Sequence, residues 1–101
     1  MSLGANVRVS AGANVHAREF DGEMVLLHLE RGDYFGLDAI GAQAWKRLVE
    51  GASPAEITDE LVERYDVERS KLLADIVALT DQLVQRGLLV VSAEVAPRRN
   101  G

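Results

Sequence analysis

The segment Val25–Gly51, VLLHLERGDYFGLDAIGAQAWKRLVEG, constrains the fold more than any other stretch of the chain. It reads as a strand, a tight turn, and a short strand, Tyr34–Leu37, that runs straight into a capped helix. In a simple meander such a strand is the last of its sheet, so one of its edges has no partner. The segment therefore specifies an α+β arrangement with a bare edge beside an apolar helix.

The flanking residues supply the rest of the sheet. A first strand is expected at Val15–Phe20, and Asp21-Gly22 supplies the positive φ angles of a two-residue hairpin turn. The second strand, Glu23–Leu29, contains Met24-Val25-Leu26-Leu27, apolar on both faces as a central strand requires. Glu30-Arg31-Gly32-Asp33 makes the next turn, and Gly36 weakens the third strand while permitting close backbone approach.

Three helices follow. Asp38 caps the first, which has Ile40, Ala44, Trp45, Leu48 and Val49 on one face and Gly51 as its stop. Ser53-Pro54-Ala55-Glu56 opens the second as a capping box with proline at its first position, and Ile57, Leu61, Val62 and Tyr65 face inward. The third runs from about Glu68 to Arg86 and ends at Gly87. Leu72, Ile76, Leu79 and Leu83 form one of its stripes, and Leu73, Val77, Thr80 and Val84 form a second beside it. Together they cover roughly 160°, against about 100° for a stripe that only faces a core. The expected fold is a winged-helix-like domain over residues 15–91, a three-stranded antiparallel sheet followed by three helices. The tails, 1–14 and 92–101, are expected to be loosely held, with Leu88–Val91 turning back onto the core.

Composition excludes several function classes. At 101 residues, 48% hydrophobic and 27% charged, the chain has one modest core and is not disordered. No apolar run approaches eighteen residues, so no membrane span is expected, and the opening MSLGANVRVS lacks the pattern of a secretion signal. The absence of cysteine removes disulfides and thiolate sites and fits a reducing, cytoplasmic setting. A net charge of −5 argues against a nucleic-acid backbone as partner.

Little in the chain points to catalysis. His16 and His28 sit on neighbouring strands, but a metal site needs three or four convergent ligands, so neither a metal nor a cofactor is expected. Glu56, Glu60 and Glu63 are spaced as one solvated helix face. Gly32, Gly36 and Gly41 match no phosphate loop, and no serine has a base and an orienting group nearby in sequence. A winged-helix DNA binder is one alternative, yet its would-be reading helix balances Glu68, Asp75 and Asp81 against three bases, where a major-groove reader presents a positive face. An edge-to-edge homodimer is another. The bare edge favours a third reading, capture of an extended peptide as an added strand, with pockets for its alternate side chains. Natural sheets blunt such edges with charge, proline or cover, and Tyr34–Leu37 carries neither charge nor proline.

The ordered set DGEMVLLHLERGDYFGLDAIGAQAW, LVEGASPAEITDELVERYDV and LLADIVALTDQLVQRGLL resembles the PqqD-like proteins, also called RiPP precursor-peptide recognition elements. The resemblance spans Val15–Val91. It implies a non-catalytic adaptor that binds the leader of a ribosomally made precursor peptide and presents it to a separate modifying enzyme. Transferred to this chain, it places the leader along Asp33, Tyr34, Phe35, Gly36 and Leu37. The helical wall it implies is Lys71, Leu72, Asp75, Ile76 and Leu79, with the stripe through Leu73 and Val77 as the other candidate wall. ERGDYFGLD looks more like the type that accompanies lasso-peptide synthesis, whose partner is a leader peptidase. The type serving a radical-SAM enzyme in quinone-cofactor synthesis more often carries a Pro-Glu-Gly turn, absent here.

Overall fold

The computed structural model describes residues 4–94. Three strands, β2 (Val15–Phe20), β3 (Glu23–His28) and β4 (Tyr34–Leu37), form an antiparallel sheet in that order, with β4 at one edge. Three helices follow: α1 (Ala39–Val49), α2 (Pro54–Leu61) and α3 (Arg69–Gln85). A second, two-stranded sheet pairs β1 (Val7–Ala11) with β5 (Leu89–Glu94).

Local chemistry accounts for each boundary. Asp21 and Gly22 adopt φ of 51° and 84°, the left-handed pair that a tight β2–β3 hairpin needs. The Asp38 carboxylate accepts from the Gly41 N–H at 2.8 Å and starts α1 immediately after β4. Ser53 and Glu56 form the reciprocal capping box of α2, at 3.2 and 2.9 Å. α3 ends where Gly87 turns left-handed and the Leu88 N–H donates back to the Leu83 carbonyl at 2.9 Å, which turns the chain into β5.

The core lies where α1 packs on β3 and β1, α3 packs on β5, and α2 packs on the other two helices. Met24, Leu26, Trp45, Leu48, Ile57, Leu61, Leu72, Ile76, Leu83 and Leu89 are all buried there. Two buried threonines, Thr58 and Thr80, donate to the carbonyls of Pro54 and Ile76 at 2.8 Å, so their burial leaves no unpaired hydroxyl.

The expectation of a loose segment at residues 1–14 is corrected over Val7–Ala11, while residues 1–3 lie outside the described residues. Val7 and Val9 are each 1% exposed, and β1 pairs with β5 through a register shift at Arg8/Val9. Burying two valines contributes roughly 1.5 kcal/mol or more each, enough to hold a five-residue strand in place. Arg8 adds a clamp, donating to the Gly51 carbonyl at 2.7 Å and to both Glu56 oxygens at 2.9 and 3.2 Å. At the other end, Ser92, Ala93 and Glu94 belong to β5 rather than to a tail. Residues 95–101 lie outside the described residues.

Candidate functional site

The site begins with the backbone of β4. The His28 N–H donates to the Asp33 carbonyl at 2.9 Å, and the register continues through Leu26–Phe35 to Met24–Leu37. In an antiparallel ladder the bonding pairs alternate, so Asp33, Phe35 and Leu37 direct their peptide groups at β3. Tyr34 and Gly36 direct theirs outward. Among the described residues, no strand pairs with that outer edge.

Side chains alternate in the same rhythm. Tyr34 is 75% exposed, and a Cβ built on Gly36 meets nothing within 4 Å. Phe35 is half-buried and Leu37 fully buried, both turned toward the helices. Between β4 and α3 lies a cavity of about 420 Å³, within the size range of a ligand cleft. Its floor is apolar: Leu37, Leu72 and Ile76 are each at most 5% exposed, and half-buried Leu79 stands at its side.

The expected site residues divide in two. Phe35, Gly36, Leu37, Lys71, Leu72, Asp75, Ile76 and Leu79 all line this one cavity, whereas Asp33 and Tyr34 do not. The stripe of α3 that lines it runs through Leu72, Ile76 and Leu79; Leu73 and Val77 are not among its walls. Asp38, Ile40, Gly41 and Ala44 of the β4–α1 junction, and Val67 ahead of α3, complete the lining and were not expected there. The small residues at 41 and 44, three apart on α1, are the signal that a wall recedes here, but on an apolar helix face they read equally well as core.

Charge is confined to the rim. Lys71 and Asp75, both exposed, form an i,i+4 pair at 3.8 Å, and the Asp38 carboxylate is committed to capping α1. At the opposite end the Arg86 guanidinium lies 5.1 Å from the centre of the Phe35 ring. His28 is buried beneath the β3–β4 turn, where its Nδ1 accepts from the Arg31 N–H at 3.2 Å. No cluster of metal-ligating side chains occurs among the described residues, and no described helix is long and apolar enough to cross a membrane. What this arrangement offers is a strand edge with two outward peptide groups, set above an apolar trough.

Comparison with known proteins gives the arrangement its context. The family model described as "Coenzyme PQQ synthesis protein D (PqqD)" matches residues 23–89. A solved structure described as "TbiB1 in Complex with the TbiA(beta) Leader Peptide" is 38% identical, with a TM-score of 0.75, covering 84% of this chain and 99% of that one. A second, "Lasso peptide synthetase B1 complexed with the leader peptide", is 31% identical, also with a TM-score of 0.75, covering 82% of this chain and 98% of that one. No curated protein matches the chain. A family match over residues 23–89 takes in β3, β4 and all three helices, the elements that build the edge and its trough, and the chain belongs to the PqqD family.

Proposed function

We propose that this protein is a non-catalytic adaptor in lasso-peptide synthesis. It takes the leader of a ribosomally made precursor as a fourth strand on β4 and presents it to a leader peptidase. The observation that carries this reading is the pairing of outward peptide groups at Tyr34 and Gly36 with the apolar trough under Leu79. The similarity to two proteins solved with leader peptides supports it. The work is done in the cytoplasm, where precursors are made, and needs no cofactor.

Strand addition supplies main-chain hydrogen bonds, while alternate side chains of the leader drop into the trough. Ordering a short disordered peptide costs roughly 2–5 kcal/mol, so buried apolar anchors must supply most of the affinity. A dissociation constant from micromolar to tens of nanomolar follows, about −8 to −10 kcal/mol.

The test is a selection from a displayed library of random peptides about sixteen residues long, enough to overrun the edge at ~3.3 Å per residue. Enriched peptides are expected to shift the Tyr34 and Gly36 amide resonances and to lose binding to the Leu79→Asp variant. Failure to enrich any peptide, or enriched peptides indifferent to Leu79→Asp, would overturn the proposal.

A further inference from the structure

Two guanidinium groups free of ion pairs among the described residues stand beside one end of the cleft. Among the described residues, ion pairs occupy Arg8, Lys46, Arg47, Arg69 and Lys71, while Arg18, Arg31, Arg64 and Arg86 enter none, and of these four Arg86 and Arg31 stand nearest the cleft. Neither lines the cavity itself, but Arg86 lies against Phe35 at the end of the cleft where β4 begins, and Arg31 is bonded to the Arg86 carbonyl. Glu30 and Asp33, the acids of the adjoining turn, are paired with neither guanidinium.

Both arginines are also held in place. Arg86 lies over the Phe35 ring at 5.1 Å, and Phe35 lines the cleft. Arg31 donates from its guanidinium to the Arg86 carbonyl at 2.5 Å, and its own N–H donates to the buried His28 ring at 3.2 Å. A guanidinium already ordered by its neighbours loses less freedom on meeting a carboxylate, and its planar fork suits one. Among the described residues, the other end of the cleft offers no free cation, since Lys71 is paired with Asp75 and Asp38 caps α1.

We infer that Arg31 and Arg86 read an acidic side chain of the bound peptide. The peptides this adaptor takes carry Asp or Glu just beyond their apolar anchors, on the side that lies at Phe35. If the peptide runs antiparallel to β4, that side is carboxy-terminal to the anchors. The inference rests on the strand-addition reading and adds a charge requirement to it.

The experiment repeats the random-peptide selection on the wild-type chain and on the Arg86→Glu variant, then measures affinities by titration. Wild-type protein is expected to enrich Asp or Glu at a fixed spacing from the apolar anchor, and Arg86→Glu to enrich Lys or Arg at that position. Exchanging the acid for glutamine should weaken wild-type binding about three- to fivefold, as for a half-exposed ion pair worth up to roughly 1 kcal/mol. The loss should shrink as salt is raised. Pairing a lysine peptide with Arg86→Glu should recover the affinity, which a purely structural role for Arg86 would not allow. Peptides that bind through the cleft, as judged by Leu79→Asp, but show no acid preference would overturn the charge inference and leave strand addition standing. Absence of any cleft-dependent peptide would overturn both.

Discussion

The three-stranded sheet has two outer strands, and they are treated in opposite ways. β2 is six residues long and exposes His16, Arg18 and Glu19 along its length. β4 is four residues long, carries no charge, and stands over an apolar trough. Charge along an edge discourages another chain from pairing with it, and β2 has the guarded kind of edge. β4 has the open kind. The small β1–β5 sheet is guarded differently, by the register shift at Arg8/Val9 and by an arginine anchored to Gly51 and Glu56. Of the two outer strands of the three-stranded sheet, the uncharged one is the one that stands beside the trough.

The largest effects should come from confusing the structural strands with the receptive one. Val9→Asp places a carboxylate where only 1% of the residue is exposed and should cost about 3 kcal/mol or more, read as a drop in the denaturant midpoint. Ile76→Asp belongs to the same class, because Ile76 is 2% exposed and packs in the core as well as lining the cleft. Its loss of peptide binding would report unfolding rather than recognition.

Leu79→Asp makes the comparison sharper. Leu79 is only half-buried, so the fold should survive while affinity for cleft-directed peptides falls more than tenfold, about 1.4 kcal/mol or greater. Titration beside a circular dichroism melt would separate the two, and an unchanged affinity in a folded variant would remove α3 as a wall.

A matched pair of prolines tests the edges themselves. Gly36→Pro deletes an outward donor on β4 and should weaken peptide binding roughly three- to tenfold, the net contribution of one hydrogen bond. On β2, Leu29 donates to the Asn14 carbonyl at 2.7 Å, so the same alternation turns the Ala17 N–H outward. Ala17→Pro should therefore leave binding unchanged. Equal losses in the two variants would mean that the sheet as a whole, and not the β4 edge, sets affinity. Phe35→Pro is no substitute, because the Phe35 amide faces β3.

The smallest effect is expected at the guarded β1 strand in acid. Hydrogen bonding to Arg8, aided by the Ser53 N–H, lowers the Glu56 carboxyl from its ordinary 4.5 to about 2. A group depressed in the folded state contributes fully above its unfolded value and loses that contribution as pH falls toward the folded one. The clamp should therefore be intact above pH 4.5 and weaken between there and about pH 2. Opening of the Val7–Ala11 strand, read as amide hydrogen exchange relative to the intrinsic rate at each pH, should rise across that window, and Glu56→Gln should flatten the rise. A rise as steep in Glu56→Gln would assign it to other carboxylates.

Much of this molecule was legible along the chain because the signals are local. Asp21-Gly22, Asp38 and Ser53-Pro54-Ala55-Glu56 each bond to residues within four positions, so their geometry is written where it is used. The strand that runs into α1 was readable as an edge for the same reason. Three features were not. β1 pairs with β5 across the length of the chain, from Val7 to Glu94, and a short VRVSA run has no meaning as a strand until its partner arrives. Ile40 and Ala44 read as core because an apolar helix face looks the same whether it meets side chains or a cavity. The choice between the two stripes of α3 depended on how the helix is rotated about its axis.

Sequence alone determined the order of elements from β2 to α3, their caps and turns, and the short uncharged strand at the end of the meander, because backbone preference and alternation act over a few residues. Tertiary packing decided which edges are guarded, which way the peptide groups of Tyr34 and Gly36 face, and that α3 stands off from β4 far enough to leave a trough. Those outcomes depend on the rotation and spacing of whole elements, which are set when distant apolar faces are buried together.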